Sequence, residues 1–288
     1  MSDEVNPKTS PFSVVPEGCV ANIIALTSPK DACRVAAVSQ GFKSAVDSDT
    51  VWERFLPPNY NEIVWRASSP LSFSTKKQLF FLLRCSTLLL DGGKLSFRLT
   101  KSGEKQYMLS ARELQIDNPQ HWGWTSLPES RFGEAAELRN ICKLDIRGKM
   151  EARMLSPKTK YVAWLMYMPC AGFSGIDYPS IMASIKFVKE DGTEKEGETN
   201  KVYVGDPTAQ GPSIIGIDDR RSWALDDDWY GIVLGEFFIA QGVGYDVHIQ
   251  LSQTQRLNHK NGLIIDGIEL QPRDDTVFSS FTVLREST

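Results

Sequence analysis

Trp122 and Trp124 stand two positions apart in "NPQHWGWTSLPESRF" (118–132), with Glu129 and Arg131 close behind. An indole plane can stack on a flat apolar surface such as one face of a sugar ring, while carboxylates and amides accept from its hydroxyls. On an extended backbone the two rings share a face. Pro119 and Pro128 make a bent loop an equal alternative. We read Trp124 as core and Trp122 as the rim of a binding surface.

Other chemistry is sparse. His121, His248 and His259 are far apart, with no i,i+4 pair to hold a metal, and Cys19, Cys33, Cys85, Cys142 and Cys170 show no C-x-x-C spacing. The expectation is buried, reduced thiols, no disulfide framework, no metal and no cofactor. Phosphate-cradling and nucleophile-elbow motifs are missing, so the chain is read as non-catalytic. Asp226, Asp227 and Asp228, with Asp218 and Asp219, could offer oxygen ligands to calcium, but a solvated loop is expected. "KEDGTEKEGETNK" (189–201) is read as a charged hairpin tip or loop turning at Asp191-Gly192.

A net charge of −4, from 32 basic and 36 acidic residues well mixed, leaves no basic stripe to release counterions from a phosphate backbone. Nucleic acid is not an expected partner. Nor is a membrane, because the most apolar run, "LFFLLRCSTLLL" (79–90), is too short to span and is broken by Arg84. The opening "MSDEVNPKTSPFS" lacks the pattern of a secretory signal, which suggests a soluble chain of the cytoplasm and nucleus.

Residues 1–12 are expected to be flexible. From Val14 to about Leu56 the pattern is helical. Pro16 can open a helix with Val20, Ile23 and Ile24 on one face; Ser28, Pro29 and Asp31 read as a capped start of the next. A third helix follows in "GFKSAVDS", then a last turn, "DTVWERFLPP", from which Trp52, Phe55 and Leu56 pack back. So small a module has apolar groups to spare for a partner. Residues 59–104 read as a connector with a capped helix, "STKKQLFFLLRC", and a hairpin turn at Asp91-Gly92-Gly93, repeated around Gly103. From about residue 105 to 273, short alternating runs suggest an antiparallel sandwich, and a polar tail follows at 274–288. In "YVAWLMYM" both faces are apolar, the mark of a strand covered on both sides.

The helical stretch, "VVPEGCVANIIALTSPKDACRVAAVSQGFKSAVDSDTVWERFLP", resembles an F-box, with Val15-Pro16 where leucine-proline is usual. "LLLDGGKLSFRLTKSGEKQYMLSARELQI", "NPQHWGWTSLPESRFGEAAEL", "LGEFF" and "HKNGLIIDGIELQPR" then resemble, in order, the plant F-box proteins of the phloem protein 2 B type. Their C-terminal half is similar to the lectin Nictaba. The resemblance implies an α+β multidomain chain: a short three-helix F-box at 13–58, then a jelly-roll-like, Nictaba-type antiparallel β-sandwich at 105–273.

It also implies partners. The F-box would dock on a Skp-type adaptor, and through it a cullin, as part of a ubiquitin ligase; the sandwich would hold a protein or glycoprotein target. The positions matching the docking pattern are Val15, Pro16, Ile23, Ile24, Leu26, Val38, Trp52 and Phe55; each could also be intradomain core, the two readings weighing evenly for Trp52 and Phe55 and partner contact being favoured for Pro16 and Ile24. For carbohydrate, N-glycans containing N-acetylglucosamine above all, the matching positions are Trp122, Asp246, His248 and Gln253. This chain departs from the glycan-binding relatives: their upstream tryptophan is missing from "ARELQIDNPQ", and His259 stands where they often carry tryptophan. Two alternatives to the ligase reading stay open: a lectin, and a protein-binding platform without a sugar site.

Overall fold

The computed structural model describes residues 15–176, 181–205, 223–224, 229–241, 244–253 and 258–273. The chain forms two compact units. Within the described residues the first holds 15–66, 70–87 and 98–103, and the second 67–69, 88–97 and the residues from 104 onward. No helix among the described residues is long and apolar enough to cross a membrane.

The first unit is helical. Helix α1 is Glu17–Ile24, α2 Pro29–Val35, α3 Gln40–Asp47, α4 Asp49–Phe55, α5 Tyr60–Arg66 and α6 Lys76–Cys85. Their starts are written locally. Pro16 is the N-cap residue of α1, and Ser28 caps α2: its Oγ accepts from Asp31 N at 3.1 Å and donates to Asp31 Oδ2 at 2.7 Å. Ser39 and Thr75 cap α3 and α6 in the same way. Two differences from the sequence reading stand out. Ser48 caps "DTVWERF", so the expected last turn is a fourth helix. Helix α5 follows Pro57-Pro58 where only connector was expected.

Helix α6 completes the interior of this unit. Leu79, Phe80 and Leu83 are buried along it, and Phe80 and Phe81 both lie 5.3 Å, centroid to centroid, from Trp52 of α4. Polar ties hold the same helix: Lys76 N donates to Asp49 Oδ1 at 2.8 Å, and Lys77 Nζ pairs with Asp47 at 2.6 Å.

The second unit is an antiparallel β-sandwich. Strands β1 (Leu88–Leu90), β2 (Leu95–Leu99), β3 (Lys105–Ser110), β14 (Asn261–Pro272), β8 (Thr159–Ser174), β12 (Tyr230–Ile239) and β11 (Trp223–Ala224) lie in that order in one sheet. β6 (Glu134–Leu138) pairs with β14 and with β5 (Trp122–Ser126). The other sheet runs β10 (Glu194–Val202), β9 (Ile181–Val188), β13 (Asp246–Gln253), β7 (Leu144–Glu151) and β4 (Gln115–Ile116). The expected turns are present: Asp91, Gly92 and Gly93 all take positive φ between β1 and β2, and Gly192 does so between β9 and β10.

β8 is central, flanked by β14 and β12, and both its faces are covered from Tyr161 to Tyr167, as the unbroken apolar run required. Gly267 marks an irregularity in β14, where a side chain would run into Leu109 O of β3. The acidic run at Asp226–Asp228, with Asp218 and Asp219, lies outside the described residues.

Candidate functional site

On the helical unit, burial sorts the eight candidate docking positions. Val20, Ala21 and Ile24 form the inner face of α1, so Ile23, one step round, points out and is 56% exposed. Leu26, just past that helix, is 79% exposed, and Val38, just past α2, is 69% exposed. Pro16 is exposed, and Val15 and Phe55 are half-buried. Ile24 is inside. Trp52 is wholly buried, at 0% exposure, with Nε1 donating to Val46 O at 2.6 Å and Phe55 meeting it edge-on at 5.6 Å. Of the eight positions, Ile23, Leu26, Val38 and Pro16 are therefore open to solvent, while Trp52 and Ile24 belong to the interior of the unit. A connector residue adds to the exposed set: Trp65 of α5 is also open to solvent.

On the sandwich, the candidate carbohydrate residues do not come together. Asp246, His248, Gln250 and Ser252 alternate with the buried Val247, Ile249 and Leu251 and share the outer face of β13. Gln253 is an odd number of residues from Asp246, and so lies buried on the inner face, roughly 23 Å along the strand. Trp122 belongs to β5 of the other sheet.

The expected roles of the two tryptophans are reversed. Trp122 is the inner ring, 8% exposed, and its indole N–H has no partner among the described residues. Trp124 is the outer ring, 38% exposed, with the Arg112 guanidinium 3.5 Å from its centroid. Glu134 fixes that arginine through Nε at 3.2 Å and Nη2 at 2.8 Å. The two rings do share a face, but the covering structure ends between them.

The outer face of the second sheet is charged and paired. His248 stands opposite Lys149 of β7 and Lys186 of β9. Lys149 reaches Asp246 at 2.9 Å, and Lys186 reaches Glu194 at 2.9 Å. The hydrogen bond to Asp246 raises the Lys149 pKa, whereas burial, seconded by Lys149, lowers that of His248. Arg147 and Gln250 both donate to Asp145. At the Asp246 end lies a cleft of about 850 Å³ lined by Lys149, Glu151, Lys189 and Tyr245 among others. Tyr245 is the aromatic nearest in sequence to Asp246, and Lys189 Nζ sits 5.1 Å from its centroid. Nothing in the sequence motifs pointed to this ring.

Of the histidines, His259 does meet a thiol: its Nδ1 is 3.7 Å from Cys142 Sγ. The same nitrogen is 2.7 Å from Asn140 Oδ1. One ring nitrogen cannot both donate to Asn140 and take a proton from Cys142, so the trio is not a relay. No cluster of three potential metal ligands occurs among the described residues; all five cysteines are unpaired, and none is buried as expected, since Cys19, Cys33 and Cys85 are exposed and Cys142 and Cys170 half-buried.

Comparison with known proteins fits these two units. The F-box domain model matches residues 12–54, and the phloem protein 2 model matches residues 104–272. F-box protein At2g02240 of Arabidopsis thaliana is 38% identical over 272 residues, covering 93% of this chain and 82% of that one. F-box protein PP2-B10 of the same plant is 38% identical over 279 residues, covering 93% and 96%. Among solved structures, a Clostridium thermocellum xylanase 10B carrying a CBM22-1 module, in complex with xylohexaose, aligns at a TM-score of 0.32 and 10% identity. That alignment covers 58% of this chain and 27% of the xylanase chain. With an F-box domain, a phloem protein 2 domain and relatives this similar over nearly its whole length, the chain belongs to the plant F-box proteins of the phloem protein 2 B type.

Proposed function

We propose that this protein is the substrate-recognition subunit of a Skp–cullin–F-box ubiquitin ligase. The helical unit docks on a Skp-type adaptor and the sandwich holds a protein or glycoprotein target. The observation that carries the reading is the exposed set Ile23, Leu26 and Val38 on a unit matched by the F-box model. Large aliphatic side chains open to water favour a partner that removes them from it. No catalytic residue is then required of this chain, whose work is to raise the local concentration of target lysines beside a conjugating enzyme. The reading places the protein in the cytoplasm and nucleus, where thiols stay reduced.

Whether the target is held through sugar or through protein is a second question. The inward ring of Trp122 and the inward Gln253 deprive the expected glycan site of a stacking plane and an amide, which favours a protein surface. Co-purification tests the main reading: the full chain retains a Skp-type adaptor, and the Leu26→Asp, Val38→Asp double variant loses it. An adaptor still captured after removal of residues 1–58 overturns it. Retention on immobilised N-acetylglucosamine oligomers that is lost in Trp122→Ala, with the fold intact, would restore the lectin reading.

A further inference from the structure

Strand β5 pairs with β6 on one side, and among the described residues no strand pairs with its other side. The hydrogen bonds at each end of the β5–β6 ladder show which backbone groups face that open side. Arg139 N donates to His121 O at 2.8 Å, and Leu127 N donates to Gly133 O at 3.1 Å. In an antiparallel pair such positions alternate, so Gly123 and Thr125 turn their N–H and C=O toward β6. Trp122, Trp124 and Ser126 turn theirs away. Trp122 is buried, but Trp124 and Ser126 are exposed and present an open run of donors and acceptors.

The flanks of this edge are held in place. On one face Arg112, itself gripped by Glu134, fixes the plane of Trp124. On the other face Arg139 lies flat across Gly123, where any Cβ would run into its guanidinium. Arg139 Nη2 donates to Glu137 Oε2 at 3.1 Å, and Thr125 Oγ1 donates to the same oxygen at 3.0 Å. The cation is the outer member of this pair: the Arg139 side chain is 63% exposed and that of Glu137 28%. An incoming strand thus meets an apolar ring on one face and a positive charge on the other.

We propose that the open edge of β5 takes up an extended, antiparallel segment of the target protein. The segment carries an apolar or aromatic side chain opposite Trp124 and an aspartate or glutamate opposite Gly123, beneath Arg139. Main-chain pairing supplies affinity and the two side chains supply selection, as in other strand-addition complexes. The proposal rests on the reading of the sandwich as the part that holds the target, and it specifies which surface does so.

The test uses the full chain and a fluorescein-labelled peptide, acetyl-Thr-Val-Phe-Asp-Val-amide, which places phenylalanine opposite Trp124 and aspartate opposite Gly123. Saturable binding by anisotropy is expected, with at least a tenfold loss in Ser126→Pro. That substitution removes an outward N–H while sparing the β5–β6 ladder, the position an edge strand tolerates for proline. Trp124→Ala, Arg139→Ala and an N-methyl group on the peptide phenylalanine should each weaken binding as well. The methylated peptide probes the edge from the ligand side should Ser126→Pro fold poorly. Absence of saturable binding, or equal affinity for the parent and methylated peptides, overturns the proposal. Adaptor capture by the same preparations separates the two readings: capture without peptide binding refutes the docking edge alone, and peptide binding without capture refutes the ligase assignment alone.

Discussion

In the helical unit Ile23, Leu26 and Val38 are large apolar groups left outside. The sandwich also leaves some apolar groups outside, Phe238 at 56% exposure among them, but it differs in taking charged groups inside. Lys260 is buried with Nζ donating to Cys142 O at 2.6 Å and Asn258 O at 3.1 Å, and burial lowers its pKa. Glu269 is buried beneath Arg131 at 2.6 Å, with Gln106 at 2.9 Å and Gln271 at 2.8 Å completing its shell. Asp266 is buried and accepts from Ser130 Oγ at 2.6 Å. An apolar group in water costs free energy until something covers it, whereas a buried charge is tolerable only when its partners are already in place. On the proposed reading, another subunit covers the exposed groups of the helical unit. On the same reading the sandwich, whose buried charges are already partnered, recognises its target through a hydrogen-bonding edge and its polar outer face.

Two substitutions in the helical unit test its half of this contrast, and they should have opposite signatures. Trp52→Ala removes a buried indole, its bond to Val46 O and its contacts with Phe80 and Phe81. We expect a loss of about 3–5 kcal/mol in stability, read from denaturant unfolding of the helical signal. Leu26→Asp, by contrast, should leave stability within about 0.5 kcal/mol, since the side chain is already in water. Its effect belongs to adaptor affinity, which should fall at least ~30-fold by calorimetric titration, as for a central interface anchor. If Leu26→Asp unfolds the unit while adaptor affinity per folded molecule is unchanged, the apolar surface is not a docking face.

How much of this was written locally in the sequence differs by region. The helix starts were legible because Pro16, Ser28 and Thr75 act within a turn of themselves, and so were the Asp91-Gly92-Gly93 and Gly192 turns. The central position of β8 followed from its two apolar faces. Helix α5 was missed because seven residues after two prolines carry too short a period to register. Trp52 could not be placed from its own neighbourhood, since its cover comes from Phe80 and Phe81, nearly thirty residues on.

The candidate sites show the same limit. The residues 122–126 form a strand, so of the two alternatives left open the shared face holds, but period two cannot say where the cover over that face stops. Position matching carried both Asp246 and Gln253 over from glycan-binding relatives. Their odd separation on one strand already placed them on opposite faces, so the strand's own geometry was the better guide. Tyr245 went unnoticed because its relevance lies in a cleft assembled from β7, β13 and the β9–β10 turn.

A smaller expected effect concerns the cap of α2. Ser28→Ala removes the acceptor for Asp31 N and should cost about 1 kcal/mol, measured by chemical denaturation. Because α2 ends three residues before Val38, the loss should also loosen the docking face: adaptor affinity should fall less than stability does. An affinity loss as large as that of Leu26→Asp would mean that the cap itself is a contact.

The last effect is a slope with pH, and it tests the sandwich half of the contrast. Burial raises the Asp266 pKa, and Glu269 pushes the same way, while the hydrogen bonds from Ser130 and Arg131 N and the charge of Arg131 oppose it. With the folded value above the unfolded one, the folded chain holds the extra proton. This contribution to stability is therefore fully present below the unfolded value near 3.8 and is lost as pH rises through the folded value. Asp266→Asn keeps an oxygen for Ser130 and removes the titration. Its urea midpoint, relative to the parent, should accordingly be more favourable at pH 7 than at pH 4. A difference that is flat or reversed between those pH values would mean that Ser130 and Arg131 fully offset the burial of the carboxylate. The sandwich would then hold that charge inside at no cost, and its interior would be as settled at neutral pH as in acid.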